Sequence, residues 1–381
     1  MRSPWACEMK IERVDVYGYD LTYVYGRYVM SGGRVIETLP STVVRVTTSG
    51  GIEGFGEVCP LGPAYLPSHG AGARAALGEL APAVLGIDAG NLGAINAAMN
   101  TALMGHGYAK SAIDTACWDA LGRSVGLPVC ELLGGRVSDT FPLYFAVPLA
   151  SAEEMTAYVE ARRAEGIHRF QLKIGADPYE DAARTRSVVN ATGPEDIVVA
   201  DANGGWRLQD AVVAARLLDG LERVFFEQPC PTLEECLIVR QRTTLPMVLD
   251  ECIDDVPSLL RAYEAKAMEA FNLKISKVGG LTQAKLMRDL AVALGLRVTI
   301  EDTWGGDLVT AAVSHLAAST PPDTLFTVSF MNDWTNEHIA GHQPRSQNGF
   351  GSAPSRPGLG VDVDVEALGT PLFSAGRGGE R

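Results

Sequence analysis

Phe271-Asn-Leu-Lys-Ile-Ser-Lys-Val-Gly-Gly280 reads as a short buried strand that carries Lys274 near its end and breaks on two glycines. A lysine at the end of an apolar strand, where loops open a site, is costly to bury unless its chemistry is used, because burial pushes its pKa toward that of a working base. Lys274 is therefore the first catalytic candidate. Working outward, three earlier strand-like runs end in acids: Ile197-Val-Val-Ala-Asp201-Ala-Asn203, Val224-Phe-Phe-Glu227 and Met247-Val-Leu-Asp250-Glu251. A fourth, Arg169-Phe-Gln-Leu-Lys-Ile174, carries Lys173. Four strand ends aim carboxylates and amines at one place.

From Phe141 the chain repeats strand, loop and helix. Strand-like runs at 141–148, 169–174, 197–201, 223–227, 246–250, 270–275, 296–301 and 325–330 alternate with helical runs such as Glu153 to Arg163, Leu208 to Leu218 and Ala284 to Leu294. Ser151 with Glu154 and Thr232 with Glu235 form capping boxes that open two of the helices. Eight strands separated by helices predict an α/β fold, a closed parallel barrel with its chemistry at the C-terminal strand ends. An open doubly wound sheet is the competing architecture, but no G-x-G-x-x-G follows a strand.

The first third reads differently. Ile11 to Tyr17, Ser41 to Thr48 and Ile52 to Val58 form a β-meander, and helical patterns follow at Ala71 to Leu85, Leu92 to Leu103 and Lys110 to Val125, the last with Ser111 as its N-cap. Between the first two strands, Tyr23 to Gly33 is rich in aromatics and glycine, as a lid or a long hairpin would be, and includes Tyr25, Tyr28 and Met30. Pro60 to His69 is a proline-stiffened loop containing Tyr65. The tail from Ser355 to Asp364 reads as one more strand, returning to the first domain. The expected organisation is a capping α+β domain over 1–138, a barrel over 139–350 and a returning segment over 351–381.

Composition sets outer bounds. A net charge of −14 over 381 residues argues against a nucleic-acid partner and against an anionic membrane surface. The seven cysteines have no C-x-x-C spacing, so neither a disulfide framework nor a thiolate zinc site is expected. With no signal peptide in the opening residues and no run long enough to span a bilayer, a cytoplasmic protein is expected.

Three acids from three successive strands, Asp201, Glu227 and Asp250, form a hard oxygen set suited to Mg²⁺. Asn203, Glu251 and Asp302 are auxiliary candidates at the same end. Lys173 on the second run and Lys274 on the sixth would flank that metal. A carboxylate substrate between them would lose its α-proton to one amine while the cation stabilises the enediolate. Lys277, three residues past Lys274, is expected outside the site, and the histidines show no ligand spacing. Trp304-Gly-Gly-Asp307 brings backbone close to the presumed ligand.

Taken together these residues resemble the enolase superfamily, in the muconate-lactonizing branch of the mandelate racemase and muconate lactonizing enzyme family. The resemblance runs through Gly54-Phe-Gly-Glu57, Ala112-Ile-Asp114, Gln171-Leu-Lys173, Asp201-Ala-Asn203, Glu227-Gln-Pro229, Asp250-Glu251, Lys274-Ile-Ser-Lys277 and Pro357-Gly-Leu-Gly360. It implies a modified (β/α)7β TIM-like barrel with an N-terminal α+β capping domain, Mg²⁺ on Asp201, Glu227 and Asp250, paired acid/base lysines Lys173 and Lys274, and a homo-oligomer, often an octamer. The chain departs from the branch at Gln171, where a lysine is usual, and it has Glu301-Asp302 at the seventh strand where mandelate racemase has a His and Asp dyad.

Within that family, Glu57 to Tyr65, His106 to Lys110 and Asp302 to Asp307 look most like proline-betaine and hydroxyproline-betaine epimerases and their cis-3-hydroxyproline dehydratase relatives. Tyr65, Gln171, Asp302, Trp304 and Phe330 are the expected substrate contacts, with Tyr65 and either Phe330 or Trp334 as aromatic walls suited to a cation. The sequence places a racemase or epimerase of a proline-like substrate first and a cis-3-hydroxy-L-proline dehydratase second. A non-catalytic ligand-binding barrel is the remote alternative.

Overall fold

The computed structural model describes residues 9–376. Eight parallel strands, each hydrogen-bonded to the next in chain order, run Phe145–Val147, Arg169–Lys173, Ile197–Asp201, Val224–Glu227, Met247–Leu249, Ala270–Lys274, Arg297–Glu301 and Leu325–Val328. A parallel bridge between Leu143 and Val328 joins the two edges, with the Tyr144 amide donating to the Val328 carbonyl at 2.9 Å. The sheet therefore closes. These strands are apolar on both faces because helices cover the outside and side chains fill the inside: every residue of Ala270–Lys274 is buried.

Helices Ala152–Ala164, Pro178–Ala191, Leu208–Leu218, Leu233–Arg240, Val256–Glu264, Leu281–Leu294 and Asp307–Ala318 follow the first seven strands. A single 3-10 turn, Met331–Trp334, follows the eighth instead. The result is a modified (β/α)7β barrel. Ser151 and Glu154 form the full capping box, with Ser151 Oγ accepting from the Glu154 amide at 3.2 Å and the Ser151 amide donating to Glu154 at 3.0 Å. Thr232, by contrast, caps its helix by accepting from the Glu235 amide at 3.2 Å and gives its hydroxyl proton, not its amide, to the Glu235 carboxylate. The first predicted run is broken, because Pro142 has no amide hydrogen for a ladder; Phe141–Pro142 pairs instead with Phe350–Gly351 as a separate two-residue ribbon.

The N-terminal sheet is antiparallel, in the order Phe373–Gly376, Ile11–Thr22, Thr38–Thr48, Glu53–Val58. Helices Gly70–Val84, Leu92–Ala102 and Gly107–Val125 pack on it. A Cβ at Gly54 or Gly56 would lie 2.1 Å from the carbonyl oxygen of Ala116 or Ala112, so only glycine lets the third helix lie so close to the sheet. That helix starts at Gly107, four residues before Ser111, which is buried inside it rather than capping it. Nor is the tail a strand at 355–364. There the Leu359 amide donates to the buried carboxylate of Asp119 at 2.7 Å, and the strand that returns is Phe373–Gly376.

Glu57 ties the two layers together. Its carboxylate, buried at the end of Glu53–Val58, accepts from Tyr19 at 2.5 Å, from Ser41 at 2.7 Å, and from the amides of Gly306 and Val309 at 3.0 and 3.2 Å. An acid from the cap thus satisfies free amides at the start of the barrel helix Asp307–Ala318 and anchors the loop that carries Trp304. Among the described residues no helix is long and apolar enough to cross a membrane.

His315 lies fully buried in that helix, its Nδ1 accepting from the Cys130 amide at 3.2 Å and its Nε2 3.1 Å from the Leu359 carbonyl. Burial, only partly opposed by that carbonyl, pushes its pKa down to about 4. Above the unfolded value of about 6.5 the ring is neutral in both states and contributes no pH dependence. As pH falls from there toward 4, the unfolded chain binds the proton first, and stability drops by about 1.4 kcal/mol per unit, about 3 kcal/mol in all. Urea unfolding of wild type and His315→Asn at pH 7 and pH 4.5 is expected to show the difference between them shrinking by about 2 kcal/mol at the lower pH.

Candidate active site

Strand register sets the layout. Lys173 pairs with Asp201 across the second and third strands, Asp201 with Glu227 across the third and fourth, and Lys274 with Glu301 across the sixth and seventh. All five side chains are buried. Lys173 and Lys274 stand four strands apart on an eight-stranded barrel, so they face each other across its mouth.

Every charged group at this end has partners. Lys173 Nζ donates to Asp201 Oδ2 at 2.5 Å and to Gln171 Oε1 at 2.9 Å. Asn203, held at φ 45°, gives Asp201 its backbone N–H at 2.8 Å and its side-chain N–H at 2.9 Å. Glu227 accepts from Gln171 Nε2 at 3.1 Å on both oxygens and from Asn272 Nδ2 at 2.7 Å. Asp250 accepts from Lys274, from Lys277 at 2.9 Å and from the Tyr65 hydroxyl at 3.0 Å, and Lys274 Nζ also donates to that hydroxyl at 2.6 Å. Glu251 Oε1 accepts from Asn203 at 3.1 Å, Tyr144 donates to Glu301, and both carboxylate oxygens of Asp302 are taken by Ser276.

Electrostatics follow from that packing. Burial alone would lower both lysines, yet Asp201, Tyr28 and Glu227 around Lys173, and Asp250, Glu301 and Glu251 around Lys274, hold both ammonium groups above the ordinary range. Glu227 is driven well up by burial and by repulsion from Asp201 and Asp250. Burial would raise Asp250 as well, but Lys274 and Lys277 outweigh it and pull it down. Burial and then the Asp250 charge lift Glu251 to about 7, and burial lifts Asp302 to about 6.

A small cavity opens above the two lysines. Tyr28 and Met30 from the capping domain, Tyr144 before the first strand, Trp304 after the seventh and Met331 and Trp334 after the eighth wall it. Of the expected contacts, Tyr65, Gln171, Asp302 and Trp304 line it. Phe330 does not: its ring packs edge-on against Phe141 at 5.9 Å, and the 3-10 turn that follows presents Met331 and Trp334 to the cavity instead. Tyr25 stays half-exposed, its ring under Arg162.

Lys277 belongs to the site, contrary to expectation. The strand ends at Lys274 and Ile275–Val278 forms a helical turn, so a residue three places on returns to the same side and Lys277 Nζ reaches the Asp250 carbonyl at 2.6 Å. Sequence reading also missed Asn272, Glu301 and Tyr144. Asn272 had a signal, since it is a polar residue two places before Lys274 in an apolar strand and so shares its face. Tyr144 had none.

A parallel barrel with acids on adjacent strand ends between two buried lysines is an arrangement suited to moving protons. Residues 28–134 match the mandelate racemase / muconate lactonizing enzyme N-terminal domain, and residues 154–368 match the enolase C-terminal domain-like family. The chain belongs to this family, within the enolase superfamily. It is 46% identical to cis-3-hydroxy-L-proline dehydratase of Roseibium aggregatum over 96% of this chain and 99% of the relative. It is 26% identical to N-succinyl-L-Arg/Lys racemase of Bacillus cereus over 94% of this chain and 97% of that one. A crystal structure of an enolase-superfamily member from Roseovarius nubinhibens ISM complexed with magnesium superposes with a TM-score of 0.91 at 36% identity, over 97% of this chain and 100% of that chain.

The family implies Mg²⁺, and the donor set suits it: carboxylates only, buried, on neighbouring strand ends, with Glu227 raised by burial and by the charges of the other two. Lysines and amides occupy those oxygens here. Among the described residues, the only His, Cys, Asp and Glu group with ligand atoms all within 4.8 Å of one another is His168, Glu195 and Asp196, at the opposite end of the barrel. Arg163 already pairs with both of its acids, at 3.1 and 2.7 Å.

Asn272 donates to Glu227 at 2.7 Å, so if the Mg²⁺ that the family implies sits on that carboxylate, loss of Asn272 should weaken its binding without removing a carboxylate. Asn272→Leu is expected to lower Mg²⁺ affinity about 10- to 100-fold by calorimetric titration, with the fold retained by circular dichroism.

Proposed function

We propose that the protein is a lyase that removes water from cis-3-hydroxy-L-proline, ahead of the racemase or epimerase that the sequence placed first. The observation that carries this reading is a pair of buried lysines facing each other over one cavity, in a chain 46% identical to a dehydratase of that substrate and only 26% identical to the racemase.

In the cis isomer the 3-hydroxyl and the carboxylate share one face of the ring, so the α-hydrogen lies on the other. Elimination therefore needs a base on one face and an acid on the opposite face. One lysine, as the free amine, takes the α-proton; the C–H electrons form the Cα=Cβ bond and the C–O bond breaks. The other, as ammonium, hands its proton to the departing hydroxide, which leaves as water. The enamine product then tautomerises to a cyclic imine. A Mg²⁺ on Asp201, Glu227 and Asp250 would supply the positive charge that draws electron density toward the substrate carboxylate and offsets the hold of the acids on the lysines. Tyr65 positions Lys274 through its hydroxyl, and Tyr28, Trp304 and Trp334 keep bulk water from the reacting atoms.

With cis-3-hydroxy-L-proline and Mg²⁺, cyclic imine should accumulate, and Lys173→Ala and Lys274→Ala should each cut kcat by about 10²- to 10⁴-fold. Return of the substrate with α-deuterium from D₂O and no imine would replace dehydration by epimerisation. Full exchange in the doubly substituted Lys173→Ala, Lys274→Ala protein would defeat both.

A further inference from the structure

Among the described residues, two acids at the mouth of the barrel keep a buried oxygen with no hydrogen-bond donor, Glu251 Oε2 and Glu301 Oε1, and of the two only Glu301 lines the cavity above the lysines. The Tyr144 hydroxyl donates to its Oε2, while Oε1 is buried with no hydrogen-bond partner and lies 3.4 Å from Lys274 Nζ. Asp302 differs: Ser276 and the Thr303 amide use up its oxygens. A buried carboxylate oxygen without a donor is costly to maintain, so an incoming donor gains there what it would not gain in water.

The position matters as much as the vacancy. A substrate whose α-carbon faces Lys274 has its amino nitrogen one bond from that carbon, and Oε1 lies within 3.4 Å of the lysine nitrogen. Glu301 and Tyr144 line the same cavity as Tyr28, Trp304 and Trp334. Aromatic faces attract any ammonium, quaternary or not. An open carboxylate oxygen adds a requirement they cannot supply, which is an N–H.

We propose that Glu301 is a specificity-determining residue that accepts a charge-assisted hydrogen bond from the substrate's ring ammonium, with Tyr144 fixing its carboxylate. This rests on the proline-type reading of the site, and it makes the enzyme selective for a secondary amine with a free N–H over an N,N-dimethylated betaine or a neutral ring.

Binding of three ring carboxylates to the Mg²⁺-loaded protein separates the possibilities: L-proline, N,N-dimethyl-L-proline, and tetrahydrofuran-2-carboxylate, whose ring oxygen replaces the N–H. Calorimetry on the wild type should rank L-proline at least about tenfold tighter than either of the others. Glu301→Gln keeps the shape, loses the charge, and should collapse that preference to within about threefold. Tighter binding of the dimethylated ring, no preference in the wild type, or an undiminished preference in Glu301→Gln would each overturn the assignment. The wild-type ranking stands as a test even if the variant does not fold. If L-proline is preferred in the predicted way but cis-3-hydroxy-L-proline yields no imine, the ammonium site holds and the dehydratase reading falls.

Discussion

The pairing of Lys173 with Asp201 and of Lys274 with Asp250, inside a barrel mouth almost closed to solvent, is the constraint around which the rest is built. Neither charge of either pair could be carried there alone, since desolvation of an isolated ammonium or carboxylate costs several kcal/mol. Mutual neutralisation makes the site tolerable: Gln171 accepts a further proton of Lys173, and Asn203 and Tyr65 donate to lone pairs of Asp201 and Asp250. Substituting any one group with an apolar residue leaves its partner buried and unbalanced, so the constellation behaves as a unit rather than as a sum of contacts.

The capping domain serves that unit. Glu57 reaches from the cap into the amides at the start of the helix Asp307–Ala318, and the Cys59 carbonyl accepts from Thr303 at 3.1 Å, so the loop bearing Trp304 is gripped on both sides. Ser31, next to the cavity residue Met30, donates to the Ile174 carbonyl just beyond Lys173. Cap and barrel therefore share the work of excluding water, and the aromatic wall is assembled from parts far apart in the chain.

Much of this was visible in the residues before any coordinates. Lysines and acids at the ends of successive apolar runs stood out because those runs are otherwise largely apolar, and Gln171 stood out as a departure from the family pattern. Phe330 misled because the eighth strand was expected to run to 330, whereas the chain leaves it at Val328 and turns. Lys277 misled for the opposite reason: three residues beyond Lys274 is out of register in a strand but one turn away in a helix. Ser111 had the spacing of a helix start, yet the close approach allowed by Gly56 buries it in mid-helix.

By itself the sequence determined the barrel and the capping layer, and it pointed to two lysines and three acids gathered at one end of that barrel, because strand period, helix caps and the expense of burying charge act locally and can be read along the chain. Only the tertiary structure decided which groups share an oxygen. Closing eight strands into a ring brings Tyr144 to Glu301 and Tyr65 to Lys274 across 157 and 209 residues. Those meetings depend on how the ring closes and how the cap sits on it, and no local pattern encodes either.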